Sequence, residues 1–227
     1  YKIIPFTWIM MLIGTLALTG APLLSGYYSK DAIIESAYAS HAFGHEYAFY
    51  LLVFSALLTS FYSWRLIFLT FHGKTRASQD VLSKAHESPL SMTIPLLLLS
   101  IGALFSGFLF SDFFLSYELK GLWGNSIYTH PDNHILEEIH HSPFWVKKIP
   151  LVMMIIGFSI ATLFYLLLKN LPSLLSSKMS FIYNFLYNKW YFDELYNFIF
   201  VNPLKRIGNF LWLFFDKKII DGFGPDG

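Results

Sequence analysis

The sequence predicts an all-α membrane protein with four transmembrane helices, the first of them discontinuous, followed by an amphipathic lateral helix. Of its 227 residues, 55% are hydrophobic and 14% are charged, whereas soluble domains carry roughly 25% charged residues. Residues 6–29 contain no charged side chain, and an apolar stretch of that length can cross a bilayer as a helix. We expect residues 1–170 to hold the transmembrane helices and residues 171–227 to hold an aromatic-rich connector and the beginning of the lateral helix.

The composition excludes several classes of protein. With 16 Lys and Arg against 15 Asp and Glu, the net charge is +1, so nothing indicates nucleic-acid binding. The absence of cysteine excludes disulfides, thiolate metal sites and iron–sulfur ligation within the chain. Neither a glycine-rich phosphate loop nor a nucleophile–base pair is recognisable. We therefore expect no cofactor in this chain.

The first hydrophobic segment, residues 6–28, runs into the stretch TGAPLLSGYYSKD at residues 19–31. Two glycines and a proline interrupt the apolar run there, and the first pair of charged residues follows directly. Helical character resumes after this pair and continues to about Ala39. One uninterrupted helix over residues 6–39 would be about 51 Å long at ~1.5 Å per residue, well beyond a hydrocarbon core of ~30 Å.

Two interpretations of this stretch are open on the residues alone. In the first, the span ends near Tyr28 and Lys30 is an interfacial charge; spacing alone favours it, because Lys and Arg flank most spans. In the second, the helix breaks at Gly20–Gly26 and restarts near Ser29, which leaves Lys30 inside the membrane. Broken helices at membrane depth occur where protein or water surrounds them, and they recur at ion and proton sites of transporters.

Three further segments are each long and apolar enough to cross the membrane once as a helix. They comprise residues 48–71, residues 90–110 with an extension to 115, and residues 149–168. Pro95, Gly102 and Gly107 lie within the second of these segments. We expect a kink or close helix packing at these residues, and not a helix end.

Lysine and arginine are unevenly distributed over the loops. The connection at residues 40–47 has none, and the loop before residue 149 balances Lys120, Lys147 and Lys148 with Glu118, Asp132, Glu137 and Glu138. The other side of the predicted helices carries Lys2, Lys74, Arg76, Lys84, Lys169, Lys178 and Lys189. Because basic residues concentrate on the inner side of a membrane, the loop between the second and third segments is predicted to face the cytoplasm or matrix.

The character of the chain changes beyond residue 170, where aromatic side chains cluster. Apolar residues recur there at helical spacing: Tyr196, Ile199, Phe200, Leu204, Ile207, Leu211 and Phe214. This pattern is typical of an amphipathic helix that lies along the membrane surface. Pro203 falls within the run, so we expect the helix to start or bend there. A peripheral anchor with no special function is the alternative.

Two groups of histidines and acids have to be weighed as metal sites. His41 and His45 are four residues apart with Glu46 adjacent, a spacing that places two ligands on one helical face, although Gly44 and the loop position indicate an exposed connection. The richer group comprises His130, His134, Glu137, Glu138, His140 and His141. Neither group has a matching metal motif, so we expect solvated loops and no metal.

Four stretches of the chain carry a family resemblance: LALTGAPLLSGYYSKDAIIESA, TSFYSWRLIFLTFHGKTR, AHESPLSMTIPLLLLSIGALFSGFL and YNKWYFDELYNFIFVNPLKRIGNFLW. Together they resemble the C-terminal part of the largest antiporter-like subunits of complex I, the proton-pumping NADH:quinone oxidoreductase. The resemblance covers essentially the whole chain. LSGYYSKD is shared more widely, so a subunit of a multisubunit Na⁺/H⁺ antiporter or of a membrane-bound hydrogenase is the alternative.

The resemblance implies a role for Lys30. In this family a Ser-Lys-Asp element sits in a discontinuous transmembrane helix, and its lysine belongs to the proton path. Ser29, Lys30 and Asp31 match that element position for position, which favours the broken helix. Burial disfavours the charged form of a lysine, and a nearby acid restores it. A change in the position of that counter-charge can therefore make the amine load or release a proton. We expect Lys30 to carry the proton and Asp31 to tune or drain it, with Glu35 a weaker candidate for the exit path.

The resemblance also implies the surroundings of the chain. A long lateral helix follows such a span in this family, and residues 195–215 would be its beginning. NADH, flavin and quinone chemistry would belong to other subunits, and the partners would be the other membrane-arm subunits and the lipid bilayer. The family's N-terminal half and final span are not in the sequence, so we expect a piece of a longer polypeptide that does not pump alone. AHESP at residues 85–89 favours a bacterial inner membrane, with the mitochondrial inner membrane as the alternative.

Overall fold

The computed structural model describes residues 2–73, 75, 77–115, 126, 130 and 133–224, and within these ranges every regular element is helical. In chain order the α-helices are α1 Pro5–Thr19, α2 Ser25–Ala39, α3 His45–Ile67, α4 Gln79–Ser83, α5 Leu90–Leu115, α6 Ile135–His141, α7 Phe144–Thr162, α8 Leu171–Lys178, α9 Ser180–Tyr187, α10 Phe192–Tyr196, α11 Asn202–Leu211 and α12 Asp221–Phe223. The predicted all-helical class is confirmed. The chain forms two compact units, residues 1–169 and 170–227. Five charged residues used to orient the loops lie outside the described residues: Lys74, Arg76, Glu118, Lys120 and Asp132.

Within the described residues, three helices are long and apolar enough to cross a membrane: His45–His72, Leu90–Leu115 and Phe144–Leu167. They coincide with the three later segments predicted from hydrophobicity. The first and third end in a wider π-helical turn, at Phe68–His72 and Leu163–Leu167. The first predicted segment differs from them, because its apolar part forms only the short helix α1.

The helix Leu90–Leu115 continues through Pro95 without a break. Gly107 lies where this helix meets the start of α2, since a methyl group added at Gly107 would lie 2.6 Å from the Cα atom of Ser25. The expected close packing is therefore found at Gly107, whereas an added methyl group at Gly102 would meet nothing within 4 Å.

Among the described helices of the first unit, α3 and α7 make the most extensive contact. The hydroxyl of Ser60, which is fully buried, donates a hydrogen bond of 2.7 Å to the carbonyl oxygen of Met154. Gly157 lies one turn further along α7, against the backbone of α3 at Leu57. A small residue on each helix thus lets the two backbones approach closely, as is common between membrane helices.

Among the described residues, three small apolar clusters hold the first unit together. The first joins α2, α3 and α7 through Ile34, Phe49, Val53, Ala56 and Val146. The second packs Ile67, Phe68, Phe71 and Ala161 with partly buried neighbours from α1 such as Trp8. The third surrounds the gap between α1 and α2 with Ala17, Ala21 and Leu24, against Ala103, Leu104 and Met154.

The two ends of the first unit are defined by long-range polar contacts. At one end the carboxylate of Glu87, in the loop before α5, accepts hydrogen bonds from the first turn of α1: 2.7 Å from the Phe6 N–H, 3.3 Å from the Thr7 N–H and 2.7 Å from the Thr7 hydroxyl. At the other end the Nε2 atom of His41, just after α2, lies 3.2 Å from Glu138 of α6. Helices α1 and α2 therefore lead from the first end to the second, and α3 returns.

In the second unit the backbone is helical from Phe192 to Phe223, with two π-helical stretches, Asn197–Val201 and Trp212–Ile220. Pro203 occupies the first turn of α11, directly after the first of these stretches. A proline has no N–H to donate, and a widened turn is a common way for a helix to accommodate the missing bond. An α-helix therefore starts beside Pro203, which is one of the two expected outcomes, although the backbone before it is already π-helical.

Candidate functional site

The stretch at residues 19–31 contains a helix break. Helix α1 ends at Thr19, five residues without α-helical structure follow, and α2 begins at Ser25. The single-span interpretation that spacing favoured is wrong for this stretch, and the helix restarts four residues earlier than the predicted Ser29. Gly20 ends α1 because it adopts a left-handed conformation with φ of 83°, which costs glycine little. Pro22 then disfavours the helical conformation of the residue before it.

The amine of Lys30 forms a hydrogen bond across this break. Its Nζ atom donates a hydrogen bond of 3.1 Å to the carbonyl oxygen of Leu18, in the last turn of α1. A helix end leaves its last four carbonyl groups without partners from the helix ladder. Here the Leu16 oxygen accepts from the Ala21 N–H at 2.9 Å and the Ala17 oxygen accepts from the Gly20 N–H at 3.1 Å. The Leu18 oxygen thus accepts its hydrogen bond from the Lys30 side chain. The positive charge of Lys30 also complements the negative end of the α1 dipole.

Gly26 sets the distance between the two half-helices. A methyl group at this position would overlap the carbonyl oxygen of Ala17, so the first turn of α2 packs directly on the last turn of α1. Lys30 lies one turn beyond Gly26 on the same face of α2. The close approach therefore places the half-buried Lys30 side chain over the end of α1.

Asp31 and Glu35 have partners other than Lys30. Asp31 is half-buried and interacts with the Tyr27 side chain, one turn earlier in α2. Glu35 is one turn later on the same face and is only 8% exposed. The structure thus brings Asp31 and Glu35 together, while Ser29 is exposed and its hydroxyl lies 3.4 Å from the carbonyl oxygen of Ser25.

Two partners in this site were missed from the sequence. The Leu18 carbonyl is a backbone group whose availability depends on where α1 ends, so no residue type indicates it. Tyr27 could have been found, because residues four apart on a helix are neighbours and Tyr27 precedes Asp31 by four.

The histidine groups lie at the His41 end of the unit. His41 is outside the helices while His45 begins α3, so they do not share a helical face. The Nδ1 atom of His134 lies 3.4 Å from a carboxylate oxygen of Glu137. In the part of the chain that the structure describes, no three His, Asp or Glu side chains are placed to bind one metal ion.

The chain is similar to known proteins that all carry the name of an NADH-quinone or NADH-ubiquinone oxidoreductase subunit. Residues 1–59 match the family described as NADH:quinone oxidoreductase/Mrp antiporter, transmembrane. The chain is 36% identical to NADH-quinone oxidoreductase subunit L of Rhodobacter capsulatus, over 97% of the chain and 40% of that protein. It is 39% identical to NADH-ubiquinone oxidoreductase chain 5 of Phytophthora infestans, over 100% of the chain and 34% of that protein. It is 41% identical to subunit L of Rickettsia bellii, over 98% of the chain and 34% of that protein.

These matches cover almost all of the chain but a limited part of each relative. The chain spans between 34% and 40% of the length of these three relatives. The family match at residues 1–59 includes the whole of α1, the break and α2.

Proposed function

We propose that this chain, which belongs to the family of antiporter-like membrane subunits of NADH:quinone oxidoreductase, forms the distal half of a proton channel in that enzyme complex. The observation that carries the proposal is the Lys30 amine at the break between α1 and α2, where it donates to the Leu18 carbonyl at 3.1 Å. Whole-chain identities of 36–41% to subunit L and chain 5 support it, since the names of those relatives specify the oxidoreductase and not a cation antiporter.

An amine in this position suits reversible proton binding. Burial disfavours the cation, while the negative end of α1 and the nearby Asp31 favour it. Because these effects oppose each other, a modest change in the charge of a neighbour can shift the balance between the ammonium and the amine. The site requires only Lys30 and its surroundings, so electron transfer and its cofactors would reside on other subunits of the complex.

The membrane topology we infer has four crossings. Helices α1 and α2 lead from one end of the first unit to the other and would together make the first crossing, with the break inside the membrane. The three long apolar helices make the others. The helical stretch Phe192–Phe223 would be the beginning of the lateral helix that runs along the membrane surface.

The proposed setting is an energy-coupling membrane. The relatives come from bacteria such as Rhodobacter and Rickettsia and from eukaryotes such as Phytophthora. The corresponding membranes are the bacterial inner membrane and the mitochondrial inner membrane. The partners would be other membrane subunits of the complex and the lipids around the exposed apolar faces of the three long helices.

The test is a Lys30→Ala substitution in the intact complex, reconstituted in sealed vesicles. Protons moved per NADH oxidised are measured together with the amount of assembled complex. We expect this ratio to fall while assembly is largely normal. Lys169→Ala is the matched control, because Lys169 is an exposed lysine beyond the end of α7. A wild-type ratio in the Lys30→Ala complex would contradict the proposal.

A further inference from the structure

A cavity opens beside α2 on the face that carries both of its acidic residues. It has a volume of about 280 Å³ and is lined by Tyr27, Asp31 and Glu35 from α2, Leu136 and His140 from α6, and Lys147 from α7, among others. At about 30 Å³ per molecule, it has room for several waters. The cavity thus connects the Asp31 carboxylate with polar groups on two other helices.

Glu35 is the buried acid of this cavity. It is 8% exposed and is not needed for the contact between Lys30 and Leu18. Its electrostatic partners are Lys147 and His140, whereas Asp31 interacts with Tyr27, Glu35, Lys148 and Lys30. Asp31 therefore interacts with both Lys30 and Glu35, and Glu35 interacts with basic groups of α6 and α7 at the far side of the cavity from Lys30.

The rim of the cavity is fixed by one hydrogen bond. The Lys147 amine donates to the carbonyl oxygen of His140 at 3.0 Å, so it joins the start of α7 to the end of α6. The His140 side chain is exposed and Lys147 is half-buried. A nearby cation favours the ionised form of a carboxylate. The rim therefore favours release of a proton from Glu35 toward the surface.

The direction of this row of groups is set by the fold. The residues Lys30, Asp31 and Glu35 follow α2 toward its end at Ala39, where His41 lies against Glu138. The opposite end of the unit is the one where Glu87 contacts the first turn of α1. That end carries the loop that the positive-inside rule assigns to the cytoplasm or matrix, so the row leads away from that compartment.

We propose that Glu35 takes up the proton that Asp31 receives from Lys30, and that this proton leaves through the cavity whose rim His140 and Lys147 form. The inference rests on the proposed function. Only a proton moves: the Lys30 ammonium becomes an amine, the Asp31 carboxylate is protonated and passes the proton to Glu35 through cavity water, and Glu35 returns to the carboxylate when the proton enters the aqueous phase.

The experiment uses the intact complex in sealed vesicles and measures protons moved per NADH oxidised. We expect Glu35→Gln to lower the ratio to that of Lys30→Ala, and Glu35→Asp to restore part of it, because a shorter carboxylic acid still carries a proton. Glu137→Gln is the matched control, since Glu137 is an exposed acid on α6 that does not line the cavity. Its ratio should equal that of the wild type.

Leu136→Phe provides a second variant that alters no titratable group. The larger side chain enters the cavity from α6, so we expect the same loss of protons moved per NADH oxidised. If the Glu35→Gln complex does not assemble, the Leu136→Phe variant tests the exit route instead. A wild-type ratio in Glu35→Gln overturns the exit route, and so does a wild-type ratio in Leu136→Phe if the Glu35→Gln complex does not assemble. In either case, a low ratio in Lys30→Ala still supports the proposed function. A wild-type ratio in Lys30→Ala as well overturns both.

Discussion

The amine of Lys30 lies 3.1 Å from the backbone carbonyl oxygen of Leu18, twelve residues earlier in the chain and across the break between α1 and α2. The acceptor belongs to the backbone, so a change of the Leu18 side chain leaves it in place. The contact depends on the group at position 30 and on the close approach of the two half-helices. Each of these can be changed separately.

Replacing Lys30 by arginine separates the contact from proton exchange. A guanidinium group keeps its charge and its donors, but it does not release its proton at accessible pH. We expect Lys30→Arg complexes to assemble and to lose protons moved per NADH as Lys30→Ala does. Measurement in sealed vesicles, with assembly followed by native electrophoresis, checks both. Wild-type pumping with arginine would show that a permanent cation is sufficient and that Lys30 carries no proton.

The close approach of the half-helices depends on Gly26. A methyl group there overlaps the Ala17 carbonyl, and overpacking of this kind costs about 1–3 kcal/mol. We expect Gly26→Ala to reduce the amount of assembled complex and its thermal stability. Gly14→Ala is the matched control within α1, because its methyl group would meet nothing within 4 Å. Since alanine also favours helix over glycine by about 1 kcal/mol, that variant should be at least as stable as the wild type. Equal behaviour of the two variants would contradict the packing described for Gly26.

The first turn of α1 is stabilised by Glu87, from 80 residues further along the chain. We expect the backbone amides of this first turn to exchange hydrogen faster in Glu87→Gln than in the wild type, and fastest in Glu87→Ala. The glutamine keeps an acceptor but loses the charge that complements the helix N-terminus, and the alanine loses both. Hydrogen–deuterium exchange of the peptide containing Phe6 and Thr7, in the intact complex, measures the order. Unchanged exchange in both variants would rule out a capping role for Glu87.

The same contact predicts a dependence on pH. Desolvation raises the pKa of Glu87, but the hydrogen bonds from Thr7 and the Phe6 amide outweigh it, so the pKa lies below its ordinary value of 4.5. A group with a lowered pKa stabilises the folded state fully above its ordinary value, and this stabilisation is lost as the pH falls through the lowered one. The difference in exchange between wild type and Glu87→Gln, compared at equal pH, should therefore be present at pH 7 and shrink below about pH 4.5. A difference that stays constant over this range would contradict the role of the charge.

The contact between α3 and α7 predicts a loss of stability in Ser60→Ala. The buried hydroxyl donates to Met154 at 2.7 Å, and removal of such a bond costs about 1 kcal/mol. We expect exchange of the α3 amides near residue 60 to become about fivefold faster. Thr59→Ala is the neighbouring control, since that hydroxyl is exposed and bonds within α3 to Ser55. Similar effects of the two substitutions would indicate that the interhelical bond contributes little.

The positions of the three long helices follow from the residues themselves. Uncharged apolar runs of sufficient length have few alternatives to a helix in a membrane, because every backbone group must be satisfied within the segment. The predicted segment at residues 90–115 is helical throughout, and its predicted start agrees with that of α5. At Phe144–Leu167 the helix begins five residues before the predicted start, since Lys147 and Lys148 lower the hydrophobicity of its first two turns without preventing helix formation.

The site itself required the fold. Lys30 and Asp31 were identified as candidates from their order in the chain, yet neighbours on a helix point about 100° apart, and their contacts turned out to be different: the Leu18 carbonyl for Lys30 and Tyr27 for Asp31. The cavity beside Glu35 depends on α6 and α7, which lie about a hundred residues further along. No local pattern could place His140 or Lys147 near α2.

The amino-acid sequence by itself determined that the chain is a set of apolar helices, because a long apolar run in a membrane has to satisfy its backbone groups within the segment. On the residues alone, the break near Gly20 and Pro22 stayed one of two interpretations, and the structure decided for it. Only the tertiary structure decided that the two half-helices meet closely at Gly26 and that Glu87 covers the start of α1. It also decided that Glu35 faces a polar cavity. These relationships join residues far apart in the chain, and their geometry depends on how whole helices pack.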